Sequence, residues 1–451
     1  RLVRNNFSLA ENGIDTSFNF GNNDKPSRYF RDMQQFTSNS KIDFTLPFNN
    51  NTDNKGKIKF GGEYTYKNRD FQENLYDYSI KDAGNFYVSG NISDFFIPSL
   101  LGYVNGDLKN HLQFYSYPDN NYNAYQRLYA GYAMVDMYVF PKVKVTTGVR
   151  FEKTFMFLRS ASDTTGKINT SDFLPSLAFT YEINEKTNLR ASVTRTLARP
   201  SFREFSPLAT FDFLGGYIQN GNSRLKRTLI NNYDLRLEQY PAPGAYFGLS
   251  LFYKKFLNPI ENAQLPGAGG SGSQFQYKNA KESQLYGAEF ELRKNLGDFF
   301  SILDNFKINT NLTYVYSYVN VTDAEFQSIS TWDNSPGRTR PMFNLSPYVV
   351  NASITYTSRD NVWESAIGFN VSGKRLIVYQ VDLPSIYLQP RPELNFTIKK
   401  QLLNKIDIRF SAENLLNSPY EEQIGLADKV YYTTRYTTGR KFSVSLKYLF
   451  N

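Results

Sequence analysis

The segment Lys441-Phe-Ser-Val-Ser-Leu-Lys-Tyr-Leu-Phe450 alternates strictly in polarity. Phe442, Val444, Leu446, Tyr448 and Phe450 fall on one side of an extended chain, and Lys441, Ser443, Ser445 and Lys447 on the other. Successive side chains of a strand point to opposite faces, so this is a ribbon with one apolar face and one wet, charged face. Such ribbons recur. Ile42, Phe44, Leu46 and Phe48 alternate with Lys41, Asp43 and Thr45, and Val143, Val145, Thr147, Val149 and Phe151 are opposed by Lys142, Lys144, Arg150 and Glu152. Phe247, Leu249, Leu251 and Tyr253 make another apolar face, as do Val350, Ala352, Ile354 and Tyr356, and Ile406, Ile408, Phe410 and Ala412. The pattern predicts an all-β chain, a transmembrane antiparallel β-barrel with lipid outside and water or a plug inside.

Composition alone points elsewhere. A mean hydropathy of -0.49 and 41% hydrophobic residues suit a soluble protein, and no apolar run approaches the roughly 18 residues of a membrane helix. A barrel needs no such run, because only alternate residues of each strand meet lipid. Thirty-eight Phe and 34 Tyr stand against two Trp. Tyr suits the headgroup level, where its ring is apolar and its hydroxyl wet, so aromatic girdles account for it better than a soluble propeller or sandwich does. The absence of Cys rules out a disulfide framework and thiolate chemistry. The net charge of +9 is spread through strands and loops, so it suggests a basic lumen or contact with anionic outer-leaflet lipid, and no nucleic acid.

About fifteen strands are expected. They lie near 42–48, 58–66, 122–139, 143–151, 171–183, 188–197, 231–240, 245–257, 275–296, 306–320, 346–358, 362–375, 391–401, 405–416 and 434–450. Short connections near 49–56, 140–141, 184–187, 241–244, 297–305, 359–361 and 402–404 alternate with longer ones near 68–121, 159–170, 198–230, 258–274, 321–345, 376–390 and 417–433. Outer-membrane barrels put short turns in the periplasm and long loops outside, so the C-terminus is expected at the periplasmic side. Bacterial single-chain barrels have even strand numbers, and those of about 22 strands form plugged transporters. The whole of 1–451 is therefore expected to be the C-terminal portion of such a barrel. The plug and first strands, and the export signal that Arg1-Leu-Val-Arg lacks, are expected upstream.

No motif carries catalysis, and no catalytic, cofactor or metal residue is singled out. Arg199-Pro200 reads as strand punctuation, since Pro removes a ladder donor. Gly267-Ala-Gly-Gly-Ser-Gly272 lacks the Lys-Ser/Thr and helix of a phosphate cradle and reads as a flexible loop. His111 is the only histidine and has no companion ligands for haem or metal. A hydrolase of the barrel type would need a paired orienting residue that the sequence does not single out. Lys142, Lys144, Arg150, Glu152, Lys254, Lys405, Asp407, Arg409 and Glu413 are expected on wet faces, pairing with each other or with a plug.

Six segments, in order, resemble the TonB-dependent receptors of Gram-negative bacteria, especially those of the Bacteroidota. They are Thr194-Arg-Thr-Leu-Ala-Arg-Pro-Ser-Phe-Arg-Glu204, Leu225-Lys-Arg-Thr228 with Asn232-Tyr-Asp-Leu-Arg-Leu-Glu238, Phe252-Tyr-Lys-Lys255 with Asn258-Pro-Ile-Glu261, Tyr286-Gly-Ala-Glu-Phe-Glu-Leu-Arg-Lys294, Glu413-Asn-Leu-Leu-Asn417, and the C-terminal strand. The resemblance covers most of 120–451 and implies a barrel around an N-terminal plug in the outer membrane. It implies import of a bulky nutrient, such as an iron chelate, haem, cobalamin, glycan or peptide, driven by a TonB-type energising complex. Expected partners are outer-membrane lipid and lipopolysaccharide, and a surface lipoprotein or other outer-membrane subunits. The competing readings are a non-transporting barrel that serves as scaffold in a larger outer-membrane complex, and a plain diffusion porin.

Overall fold

The computed structural model describes residues 2–4, 8–12, 15–19, 27–49, 55–79, 103–104, 107–108, 111–115, 118–212, 217–264, 274–402, 405–426, 429–448 and 450. One sheet of eighteen strands dominates. Three are short flanking pieces, Leu2–Arg4, His111–Tyr115 and Thr339–Arg340. The other fifteen form a continuous wall, in chain order Ser27–Asn49, Lys55–Ser79, Tyr122–Phe140, Val143–Ser160, Thr165–Asn184, Thr187–Ala198, Thr228–Gln239, Tyr246–Leu257, Glu282–Asn295, Phe306–Asn320, Tyr348–Thr357, Trp363–Ser372, Glu393–Leu402, Ile406–Glu413 and Lys441–Tyr448. Each pairs antiparallel with the next, so the wall is an up-and-down meander. Among the described residues, no helix is long and apolar enough to cross a membrane.

Register fixes which residues share a face. Tyr233 lies opposite Tyr253, Tyr253 opposite Tyr286, and Tyr286 opposite Tyr316, so four consecutive strands put a tyrosine in one outward row. The rings are 5.7 Å apart for Tyr233 and Tyr253 and 5.3 Å for Tyr286 and Tyr316. Val193, opposite Tyr233, continues that row on the next strand, and toward the short turns Leu249, Leu251 and Leu235 lie exposed on the same face. An apolar band ending in a row of tyrosines is the outer surface that a bilayer edge demands.

The two end strands differ from the rest. Lys441–Tyr448 pairs with Ile406–Glu413 on one side, and all eight of its residues are exposed. Val444 is 73% exposed and Leu446 70%. Ser27–Asn49 pairs with Lys55–Ser79 along its full length and is likewise exposed over most of its residues.

Several boundaries expected from sequence are corrected. The connection placed at 159–170 is a tight turn, because Thr165–Asn184 begins only five residues after Val143–Ser160 ends. Its polar run is satisfied in the turn and by the preceding connection: the Ser160 amide donates to the Thr164 carbonyl (2.9 Å), and the Ser160 hydroxyl to Asp119 (2.9 Å). The loop expected from residue 68 begins only after Ser79, because the strand continues to that point. The segments 275–296 and 434–450 each divide into two strands that belong to different sheets. In each case the first piece leaves the wall to join an assembly at the long-loop end. Asp136, which obscured the face of its strand, lies on the wet side between Lys57 (3.4 Å) and Lys144 (3.1 Å).

Candidate functional site

On its inner face the wall carries its charges as interlocked pairs. Arg150 bonds Glu63 (2.9 Å) and Glu152 (2.6 Å), and Glu152 in turn accepts from Arg199 (2.5 Å). Arg199 also donates to the Thr154 hydroxyl (3.0 Å). The residue read as strand punctuation therefore ties the loop exit to the lumen wall. Two strands on, Arg190 and Arg236 share Glu238 (2.8 and 2.9 Å), and Arg236 reaches Glu291 (2.9 Å). Of the wet-face residues expected from sequence, Arg150 and Glu152 lie in these networks, Lys144 pairs separately with Asp136 (3.1 Å), and Glu413 pairs with Lys441 (3.3 Å). Lys142 instead donates to the Ile183 carbonyl at a short turn (3.4 Å). Lys254 faces Asn232 and Leu285, Asp407 lies opposite Lys447, Arg409 opposite Ser445, and Lys405 precedes its strand.

At the long-loop end, two four-stranded sheets sit on the wall. One comprises Ala209–Asp212, Tyr217–Asn220, Ile260–Gln264 and Gln274–Asn279; the other comprises Arg375–Val378, Ile386–Leu388, Tyr420–Leu426 and Lys429–Tyr436. They meet where the Gln264 amide donates to the Tyr379 carbonyl (3.0 Å). Beneath this junction, Arg340 grips Glu261 with both terminal nitrogens (3.0 and 2.5 Å) and lies 3.8 Å from the centre of the Tyr379 ring. The Arg340 side chain is 9% exposed and that of Glu261 3%. A bidentate pair stacked on an aromatic ring is the geometry that suits Arg and not Lys. Burial foremost, with Glu325 adding to it, pushes the Tyr379 hydroxyl up to about 12.

The helix Asp323–Ile329 is fastened alongside. Thr322 and Glu325 form a reciprocal capping box, and Glu325 also receives Lys278 (2.7 Å). Beyond it, the Trp332 indole donates to the Val381 carbonyl (2.8 Å). A cavity of about 320 Å³ opens here, lined by Trp332, Arg340, Lys374, Tyr379, Tyr387 and Gln423 among others. Lys374 lies 4.5 Å from the centre of the Tyr387 ring. The Arg340 Nε and the Gln380 Oε1 are buried without a hydrogen-bond partner among the described residues. Aromatic faces, amides and a cation around a walled space can stack and hydrogen-bond a polar, ring-bearing ligand.

Burial acts to raise the Glu325 carboxyl, but Lys278 and the capping bonds outweigh it and hold the group below its ordinary value. The stability this contributes is present above the ordinary glutamate range, about 4.3, and is lost as pH falls through the depressed value. With Trp363→Phe, Trp332 is the sole tryptophan of residues 1–451, and its emission, taken as the difference from a Trp332→Phe control, reports on the helix. Its emission should red-shift on acidification only below that range, and Glu325→Gln should abolish the acid transition. A transition that survives Glu325→Gln unchanged would show that the Lys278 pair does not hold the helix.

Sequence reasoning missed this site, since its partners are 79 residues apart (Arg340 and Glu261) and 47 apart (Lys278 and Glu325). The one legible signal was Thr322-x-x-Glu325, a capping-box spacing. The backbone of His111 lies in a short strand opposite Ser79. The glycine-rich run 267–272 lies outside the described residues. Among the described residues, no three His, Cys, Asp or Glu side chains are grouped to hold a metal.

Known proteins agree with the wall. The ferric enterobactin receptor of Pseudomonas aeruginosa is 25% identical over 224 residues, which is 45% of this chain and 27% of that protein. The solved siderophore receptor PiuA from Acinetobacter baumannii superposes with a TM-score of 0.63 at 15% identity, over 94% of this chain and 57% of that one. A solved ferric enterobactin receptor from Pseudomonas aeruginosa, in complex with enterobactin, gives 0.56 at 18% identity, over 99% of this chain and 58% of that one. The chain thus spans little more than half the length of these solved structures, and at such identities they speak for the fold alone. The model of the family described as TonB dependent receptor-like, beta-barrel matches residues 2–415, and the chain belongs to that family.

Proposed function

We propose that the chain is the barrel wall of an energised outer-membrane receptor that imports a bulky nutrient. The observation that carries this reading is the cavity at Arg340, Lys374, Trp332 and Tyr379, held by interlocked loops above a wet, ion-paired inner face. The long loops face the cell exterior and the C-terminus the periplasm. A plug and further strands, on the way to about 22 in all, complete the barrel and give partners to Lys441–Tyr448 and to Ser27–Asn49 beyond the three residues that Leu2–Arg4 covers. A TonB-type complex supplies the energy. Iron chelates lead the ligand classes, ahead of haem, cobalamin, glycans and peptides, because the relatives named above are siderophore receptors.

A second reading has one observation in its favour. Val430, Tyr431, Tyr432 and Tyr436 are exposed together on the hairpin Tyr420–Leu426 and Lys429–Tyr436, which would suit a surface lipoprotein capping a non-transporting scaffold. Whole-cell uptake of labelled iron chelates, haem, cobalamin, glycans and peptides separates the two, measured with and without the energising complex. Accumulation that requires both the receptor and the complex is expected. Normal assembly of the protein with partners, but no energised uptake of any of the nutrient classes, would favour the scaffold.

A further inference from the structure

Inside the wall, the arginines Arg150, Arg190, Arg199 and Arg236 each meet a carboxylate. One group on the outer face does not follow that rule. Register places Arg127, Lys153 and Lys167 on the apolar side of three neighbouring strands: Lys153 lies opposite Tyr129 and Ser171, Arg127 opposite Phe155, and Lys167 opposite Phe157. Arg127 and Lys153 are therefore diagonal neighbours, about 7–8 Å apart at the backbone. Lys167 stands two strands from Arg127, roughly 10 Å across the sheet.

These cations are interleaved with rings. The Arg127 guanidinium sits 5.2 Å from the Tyr125 ring centre, and the Lys153 ammonium 5.0 Å from that of Phe155. The Tyr125 and Phe157 rings lie 5.7 Å apart. Lys153 also donates to the Ser171 hydroxyl (3.1 Å), while Arg127 and Lys167 are exposed. Among the described residues, no carboxylate forms an ion pair with any of the three. The nearest outward carboxylates are Asp70, opposite Asn123 on the next strand, and Asp163, which is already paired with Arg159.

Their height along the wall is set by the strands. Val143, at the short turn, and Lys153 are ten residues apart on one strand. That is about 33 Å along the strand, and roughly 25 Å in height at a tilt of about 40°, the height of the apolar band of an outer-membrane barrel. Lys153 shares its row with Tyr129 and Tyr64, whose rings are 4.9 Å apart. The patch thus begins at the rim of the band and rises into the headgroup layer.

We infer that Arg127, Lys153 and Lys167, with Tyr125, Phe155 and Phe157, form a binding site for the phosphorylated sugar headgroup of an outer-leaflet glycolipid, lipid A. Three cations with no carboxylate among them suit phosphate groups, the rings suit sugar faces, and the apolar band below suits acyl chains. The inference rests on the outward orientation of the long loops, so its test carries a separate check of that orientation.

The full-length receptor, purified in detergent, is titrated with lipid A before and after phosphatase treatment, and retained lipid is read by native mass spectrometry. Untreated lipid A should bind, and the dephosphorylated form should bind far more weakly. The triple variant R127Q/K153Q/K167Q should weaken retention about a hundredfold, as expected for three basic residues near an anionic surface. Arg195→Gln, an outward cation outside the patch that donates to Asn231 (2.9 Å), should leave it unchanged. Equal losses in the triple variant and Arg195→Gln, or equal binding of the two lipid forms, would overturn the site. Orientation is read independently from Ala161→Cys, in the turn beside the patch; residues 1–451 contain no Cys, and labelling is scored against the same receptor without the substitution. A membrane-impermeant maleimide should label it on intact cells. Labelling without phosphate-dependent binding sinks the site alone, whereas no labelling sinks the orientation and the site with it.

Discussion

Replacing Arg340 with Ala should destabilise the assembly at the long-loop end by about 3–5 kcal/mol, since removal of one partner leaves the other charge buried and uncompensated. Glu261 has no second cation within ion-pair distance among the described residues, and its side chain is 3% exposed. The loss should be local. Hydrogen exchange should accelerate in Ile260–Gln264 and Arg375–Val378, and Trp332 emission should change, while the wall strands keep their protection. Replacing both partners with apolar residues, as in E261M/R340M, should recover most of the loss, because the cost lies in the orphaned charge and not in the pair itself. Arg338→Ala provides the contrast. Its ion pair with Asp323 is surface-exposed, so the change should cost about 0–1 kcal/mol. If Arg340→Ala and Arg338→Ala prove equally mild, Arg340 does not clamp the two small sheets. If the wall melts with the loops, the assembly is not a separate cooperative unit. Arg340→Lys should behave like a partial deletion, since an ammonium cannot reproduce the two-pronged contact or the stacking on Tyr379.

The wall was legible from sequence because its physics is local. Only alternation of apolar and polar residues is needed to mark a strand with lipid on one side and water on the other. Phe306–Asn320 matches its expected limits, Tyr246–Leu257 differs by one residue at its start, and Thr187–Ala198 by one residue at each end. The small sheets were illegible for the same reason. Ile260–Gln264 buries residues of both faces, with Glu261, Asn262 and Ala263 consecutive and all buried, so no alternation survives. The pairing of Tyr217–Asn220 with Gln274–Asn279 is parallel and joins segments more than fifty residues apart, for which sequence offers no local cue. Parity also held unused information. Lys153 follows Glu152 and so faces outward if Glu152 faces the lumen. Its neighbours Arg127 and Lys167 needed the register between strands, which alternation alone does not supply.

Phe205→Ala should cost about 3–5 kcal/mol, within the range for emptying a buried aromatic site, and should detach the segment that leaves the wall at Arg199. The helix Phe202–Phe205 has four residues, far too few to persist alone. It is set by the capping box between Ser201 and Glu204, and fixed by burial of Phe202 and Phe205 in a cluster with Tyr122, Met156, Leu158, Ile168 and Leu225. Phe205 is fully buried, and its ring lies close against the wall at Gly166, where an added Cβ would stand 2.7 Å from Cε1. Ser201→Ala should cost about 1 kcal/mol, so burial outweighs the cap. Gly221→Ala should match or exceed the Phe205 change. A Cβ there would fall 1.8 Å from the Ser206 carbonyl oxygen and 2.7 Å from that of Arg203. Both are backbone atoms, so no rotamer change relieves the clash, and Gly221 must move away from the end of the helix. Limited proteolysis between residues 199 and 228 is the measurement, with cleavage expected in Phe205→Ala and Gly221→Ala but not in Ser201→Ala. Full resistance in Gly221→Ala would mean that the return chain does not pack on the helix end. Equal cleavage in Ser201→Ala would transfer control from the buried rings to the cap.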